Sequence, residues 1–148
     1  MIAVSEGTST IQNSDDGYNV VVGGQLFNNG YVDHPRRRVW FTRLKIWSTA
    51  AGRYQVLSKY YDAYKKTLGL PDFSPVSQDK IAIQLIKECK SLPAIERGNF
   101  ALAVTRCNSR WASLPGAGYG QHEQKIAMLV AVYEKHGGTL SGNWQETA

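Results

Sequence analysis

The chain has 148 residues, 43% of them hydrophobic and 20% charged, which suits one globular domain with a real core. No apolar run reaches the roughly 20 residues of a transmembrane helix, so stable membrane insertion is not expected, and two cysteines are too few for a disulfide scaffold. The net charge of +5 favours a polyanionic partner: nucleic acid, an acidic membrane face or an anionic wall polymer.

In chain order, residues 1–6 read as the end of a helix stopped by Gly7. Glu6 sits there, with apolar Ile2, Ala3 and Val4 before it. Residues 8–17 form a polar loop. "YNVVVGG" (18–24) is β-branched and glycine-bounded and predicts a short strand, and Asn29–Gly30 predicts a turn into more strand. A small antiparallel sheet near the N-terminus follows. "HPRRR" (34–38), with Arg43 and Lys45, is the densest basic stretch.

After Trp47 the period changes. Leu57, Tyr60, Tyr61, Tyr64 and Leu68 predict a helix over 53–69, ended by Gly69. Ser74 and Pro75 open a helix over 74–92, with Pro93 just past its end. Shorter helices are predicted over 99–107 and 121–138, and 141–148 reads as a loose tail. The class is α+β in a single domain, 1–148, mostly helical. Helices 74–92 and 99–107 should form a hairpin that brings Cys89 near Cys107, most simply as two buried thiols.

Two loops carry candidate chemistry. "WSTAAGRYQ" (47–55) runs small residues into Gly-Arg-Tyr-Gln, and "WASLPGAGYGQ" (111–121) is rich in glycine. Their glycines permit close backbone approach to a ligand, and tyrosine and tryptophan offer flat faces that suit sugars or bases. The same residues also serve as turns and core. His34, His122, His136 and the cysteines show no metal-ligand spacing, so neither a metal nor a cofactor is expected.

"SEGT" (5–8), "GY" then "VVGG" (17–24), "DHPR" (33–36), "GRYQ" (52–55), the "LGLPDFSP" and "SQD" of 68–79, and "WASLPGAGYGQ" (111–121) recur in one order. In this the chain resembles the phage lambda-type endolysins, lytic transglycosylases of the lysozyme-like superfamily. The resemblance implies a lysozyme-like fold. It also implies cleavage of the β-1,4 bond between N-acetylmuramic acid and N-acetylglucosamine, leaving a 1,6-anhydromuramic end and causing host lysis. It makes Glu6 the catalytic acid and Gln55 a motif glutamine near it. Two lips of the sugar cleft map onto 37–47 and 115–128. Sugar contacts are then expected from Trp40, Ser48, Tyr54, Gln55, Tyr119 and Gln121.

One acid suffices for such a reaction. Glycoside cleavage needs a proton on the leaving oxygen, and a hydrolase adds a second carboxylate as nucleophile or base. In a lytic transglycosylase the C6 hydroxyl of the muramic acid attacks C1, and the same glutamate takes up its proton. An apolar setting should raise the pKa of that glutamate. Asp15, Asp16 and Asp33 are the rival second carboxylates, and their use would make the enzyme a hydrolytic muramidase. A wall-binding module and a nucleic-acid binder are the readings without catalysis; the motifs favour peptidoglycan strands and no nucleic acid.

No signal peptide is visible, so synthesis in the host cytoplasm and action in the periplasm are expected, with a holin opening the way and the enzyme working as a monomer. The stub before Glu6 is too short to be helical alone. Ile2 must dock on the body of the domain, expected at the 53–69 helix.

Overall fold

A computed structural model of the chain describes residues 1–42 and 44–146; Arg43 of the basic stretch, and Thr147 and Ala148 of the tail, lie outside them. In chain order the elements are α1 (Ile2–Ser5), a 3-10 turn (Thr8–Thr10), β1 (Val39–Phe41), β2 (Ile46–Ser48), α2 (Ser58–Leu68), α3 (Pro75–Glu88), α4 (Leu92–Glu96), α5 (Phe100–Cys107) and α6 (Ile126–Lys135). The class is α+β, as expected. None of the described helices is long and apolar enough to cross a membrane. The chain divides into two compact units, Glu6–Ala82 and Met1–Ser5 with Ile83–Ala148.

The Glu6–Ala82 unit is built mainly from turns. Its antiparallel sheet is β1 with β2, in the register Val39↔Ser48, Trp40↔Trp47 and Phe41↔Ile46. The strand expected over 18–24 is instead a pair of isolated bridges, Val20↔Leu26 and Val21↔Ala51. Gly23 and Gly24 both take positive φ and turn the chain away before a ladder can extend. Val20 and Val21 are nevertheless buried, with Phe27, Ala51, Val56, Tyr61, Phe73 and Ile81. Phe73 is the centre of this core, 5.0 Å from the ring of Tyr61 and 4.8 Å from that of His34.

The helix expected from residue 53 begins only at Ser58. Ala51 and Val56 bridge each other, so "GRYQ" is the tip of a tight hairpin. Gln55 sits at φ +51°, which no helix accommodates. Gly69 ends α2 in the left-handed conformation at φ 61°, as its place in the sequence predicts.

The second unit is helical. Its buried side chains include Phe100, Val104, Cys107, Trp111, Leu114 and Leu129. α5 spans 100–107 as expected, with the Asn99 side chain accepting the Leu102 N–H at 3.2 Å. The 74–92 helix stops at Glu88, and Pro93 lies in the first turn of a separate α4, where proline needs no helical hydrogen bond.

The last helix begins at Ile126, not 121. Glu123 accepts the Gly116 and Gly118 N–H groups at 2.8 and 2.7 Å, and Gln124 N–H donates to Ser113 at 2.9 Å. These bonds commit residues 121–125 to the glycine-rich loop. The tail is tied down through Glu146: Ala101 N–H donates to the Trp144 carbonyl at 2.8 Å, Ser141 N–H to that of Gly98 at 3.0 Å, and Trp144 packs edge-on against Phe100.

Ile2 lines an apolar cavity of about 50 Å³ with Met1, Ile86, Ile95, Phe100 and Val104, which replaces the expected docking on the 53–69 helix. Cys107 is buried and Cys89 half-buried, both free thiols. Burial pushes the Cys107 thiol up to about 11, with Ser91 and Cys89 as its polar neighbours.

Candidate active site

The "SEGT" segment enters its unit at Glu6, and Gly7 turns it at φ 73°. Thr8 is buried, and its hydroxyl donates to the Arg53 carbonyl at 2.7 Å. That bond ties the Glu6 segment to the "GRYQ" turn. Gly17 packs on Thr8 so closely that a Cβ there would lie 2.9 Å from it. The outcome is an open recess of about 70 Å³ lined by Glu6, Gly7, Thr8, Ile11, Val20, Val21, Gly23, Gly24 and Gln55. Glu6 is half-buried. Among the described residues lining this recess it is the one carboxylate, and Gln55 is the one amide side chain.

Gln55 is held firmly. Its backbone N–H donates to the Gly52 carbonyl at 3.1 Å, and its side-chain Nε2 donates to the same carbonyl at 3.0 Å. The turn beneath it rests on α3. Gln78 is buried; its Oε1 accepts the Arg53 N–H at 2.9 Å, and its Nε2 donates to Phe73 and Tyr18 carbonyls at 2.8 and 3.1 Å. Gly52 must be glycine, because a Cβ there would meet Gln78 Oε1 at 2.2 Å and its φ is +79°. Asp79, one residue on, accepts the Tyr18 and Tyr54 hydroxyls at 2.9 and 2.7 Å. Burial, then the Asp79 carboxylate, raises both phenols above their ordinary value, so both remain protonated donors.

Ser5, the residue before Glu6 in the chain, is held by residues of its own unit. Ser5 Oγ donates to Ser113 Oγ at 2.8 Å, both buried, and Gln124 Nε2 approaches the Ser5 carbonyl at 3.4 Å. That carbonyl belongs to the Ser5–Glu6 peptide. Ser113, Gln124, Gln78 and Asp79 were not among the expected site residues. The one signal for them is that they lie in or beside the quoted motifs "SQD" and "WASLPGAGYGQ".

Of the expected residues, the recess brings together Glu6 and Gln55. Tyr54 has its hydroxyl on Asp79 and its ring edge-on to Tyr18, with centroids 6.5 Å apart. Ser48 accepts the Ala50 N–H at 3.2 Å through Oγ at the end of β2. Trp40 is exposed on β1. Tyr119 and Gln121 are exposed in the helical unit, where the Tyr119 hydroxyl donates to the Ser109 carbonyl at 3.1 Å. The rival carboxylates have partners elsewhere. Asp15 accepts the Tyr31 hydroxyl at 2.7 Å, and Asp16 pairs with Arg53. Asp33 is bridged by Arg36 at 3.0 Å and Lys65 at 3.4 Å, which hold it below the usual carboxylate range although partial burial works the other way.

The endolysin family model matches residues 1–140. The chain belongs to the endolysin family. The endolysin of Escherichia phage lambda is 53% identical over 142 residues, covering 95% of this chain and 89% of that protein. The endolysin of Escherichia phage P2 is 47% identical over 148 residues, covering 93% and 89%. A solved structure of bacteriophage lambda lysozyme complexed with a chitohexasaccharide superposes with a TM-score of 0.90 at 52% identity, over 95% of this chain and 91% of that one. A second lambda lysozyme structure superposes with a TM-score of 0.85 at 51% identity over the same shares. The fold of this endolysin is therefore lysozyme-like, and it is an enzyme that acts on peptidoglycan.

Proposed function

We propose that this endolysin is a lytic transglycosylase, with Glu6 as its single acid and base. It cleaves the β-1,4 bond between N-acetylmuramic acid and N-acetylglucosamine. The Glu6 carboxylic acid protonates the leaving oxygen, and the C1–O bond breaks. The muramic C6 hydroxyl then bonds to C1 and returns its proton to the Glu6 carboxylate, so no water enters. The observation that carries this reading is that Glu6 is alone as a carboxylate among the described residues of its recess, while Asp15, Asp16 and Asp33 are bonded to other partners. A retaining or inverting hydrolase needs a second carboxylate across the sugar.

Gln55 sits in the same recess and is suited to the N-acetyl group. Trp40, Ser48, Tyr119 and Gln121 are the proposed outer sugar contacts, consistent with the chitohexasaccharide bound by the lambda enzyme. Tyr54 enters this proposal as a support for the Gln55 turn, since its hydroxyl already serves Asp79. The whole chain acts as one monomeric catalytic domain, on the periplasmic wall, after a holin opens the inner membrane. Digestion of purified peptidoglycan tests the reaction. The expected muropeptides are lighter than a muramidase's by one water and resist borohydride reduction. Reducible products overturn the lyase reading and make the enzyme a hydrolase, which is what the name lysozyme on the solved relatives describes.

A further inference from the structure

We propose that Cys89 and Cys107 form a modification site: a pair that rests as two thiols in a reducing compartment and closes into a disulfide in an oxidising one, fastening the end of α3 to α5. Both belong to the helical unit, Met1–Ser5 with Ile83–Ala148. Three bonds fix how the two segments lie. The buried Ser91 hydroxyl donates to the Ala103 carbonyl at 2.8 Å, Arg106 Nη1 donates to the Lys90 carbonyl at 2.7 Å, and the Arg110 guanidinium reaches the Glu88 carboxylate at 3.9 Å. Residues 91, 90 and 88 therefore run against 103, 106 and 110 in opposite directions. Cys89 lies inside the first run, and Lys90 at φ +54° stops the helix just past it. Cys107 is one helical turn beyond Ala103, on the same side of α5, and its carbonyl accepts the Arg110 N–H at 2.9 Å. The register thus sets Cys89 opposite Cys107, and the Cys89 side chain is a hydrogen-bond partner of the Cys107 thiol.

The two thiols differ in access, and this sets the order of the chemistry. Cys107 is buried and Cys89 half-buried. Burial also keeps the Cys107 thiol protonated. Cys89 therefore meets an external disulfide first, either that of oxidised glutathione or that of a thiol oxidoreductase. Its thiolate bonds to one carrier sulfur, the carrier S–S bond breaks, and one carrier thiol leaves with the Cys89 proton. Cys107 then gives up its own proton and bonds to the Cys89 sulfur. The mixed disulfide breaks, and the second carrier thiol leaves with that proton. Two electrons and two protons pass from the cysteine pair to the carrier, which is reduced. A metal does not compete for the pair: among the described residues no group of three His, Cys, Asp or Glu side chains could hold an ion. The bond closes a loop that contains α4 and α5, which restricts the unfolded chain. Its timing rests on the proposed passage from a reducing cytoplasm to the periplasm; the pairing does not.

The test takes the full chain, reduced and freed of reductant, and incubates it without oxygen in oxidised glutathione. Intact mass, alkylation and melting temperature are read. The wild-type chain should lose two hydrogens, resist alkylation until reduced, and yield one peptide pair joined at Cys89 and Cys107. Its melting temperature should rise by about 5–10 °C, and dithiothreitol should reverse the rise. Cys107→Ala should stop at the mixed disulfide, with one glutathione on Cys89. Cys89→Ser should stay unmodified, because Cys107 is buried. Neither variant should gain melting temperature. Thiols that stay open in the wild-type chain, a lasting glutathione adduct on it, or dimers linked through Cys89 overturn the proposal. So does a closed bond that leaves the melting temperature unchanged. An error in the proposed route to the wall shows separately, as a pair that closes with glutathione but is open in enzyme recovered on acid-quenched sacculi. That result overturns the timing alone.

Discussion

Each of the two compact units is stabilised internally by different physics. Between Glu6 and Ala82 much of the backbone is turn, and buried polar side chains replace regular ladders: Gln78 holds the Arg53 N–H and the Phe73 and Tyr18 carbonyls, His34 the Val56 carbonyl and Arg36 N–H, and Thr8 the Arg53 carbonyl. The helical unit relies on apolar packing around Phe100, Val104, Leu114 and Leu129. The proposed acid belongs to the polar unit, while the residues just before it are anchored in the apolar one. A hydrogen-bonded turn can hold one side chain at one angle, because each bond is directional. Apolar contacts fix position less specifically and tolerate exchange of similar volumes.

The largest expected effect is chemical. Glu6→Gln keeps the shape of the recess and removes the transferable proton, so lysis should fall by about 100- to 10,000-fold with folding and wall binding retained. Asp15→Asn, Asp16→Asn and Asp33→Asn should cost far less. A Glu6→Gln enzyme that still clears sacculi would remove the acid from the polar unit altogether.

Next come paired stability variants, read as melting temperature and urea midpoint. Gln78→Leu roughly conserves volume but strands the Arg53 N–H and the carbonyls of Tyr18 and Phe73, and should destabilise by about 3 kcal/mol. Leu114→Ala removes volume and no polar partner, and should cost a similar amount, about 3 kcal/mol. If Gln78→Leu is neutral while Leu114→Ala is not, the contrast between the units fails.

A smaller effect, about 1 kcal/mol, is expected for Ser113→Ala, which leaves the buried Ser5 hydroxyl without its acceptor. Because that bond steadies the peptide leading into Glu6, turnover should fall more than substrate affinity does. A drop in affinity alone would place Ser113 with the sugar contacts instead.

The smallest is a pH effect. His34 Nε2–H donates to the Val56 carbonyl at 2.9 Å, and its Nδ1 accepts the Arg36 N–H at 3.0 Å, so the ring is neutral in the fold. Burial pushes it below the ordinary imidazole value, helped by the Arg36 charge and opposed by the Val56 bond and by Asp33 and Asp62. Below about pH 6.5 the unfolded chain binds this proton and the folded one resists it. The His34 contribution is therefore complete above that pH and lost as pH falls through and below it. Melting temperature should drop between pH 7.5 and 5.5, and a His34→Gln variant should show a flatter profile.

Much of the helical unit was legible in the sequence, because its signals are local. The apolar spacing over 99–107 acts within a few residues. Gly7 and Gly69, the stops that begin the polar unit and end α2 within it, are local in the same way. The motifs likewise marked Glu6 and Gln55, and the recess contains both.

What the sequence by itself determined, then, is the class and the family. The tertiary structure decided the rest. It turned "GRYQ" from a helix start into a hairpin tip, since Gln78 and Thr8, distant in sequence, hold the Arg53 backbone from both sides. It drew 121–125 out of the last helix through Glu123, fastened the tail on the Gly98 and Ala101 backbone, and set Trp40 opposite Trp47. The turn and the tail depend on partners far along the chain, and the loop and the tryptophan pair on specific bonds and a register, whereas propensity and periodicity sum only over neighbours.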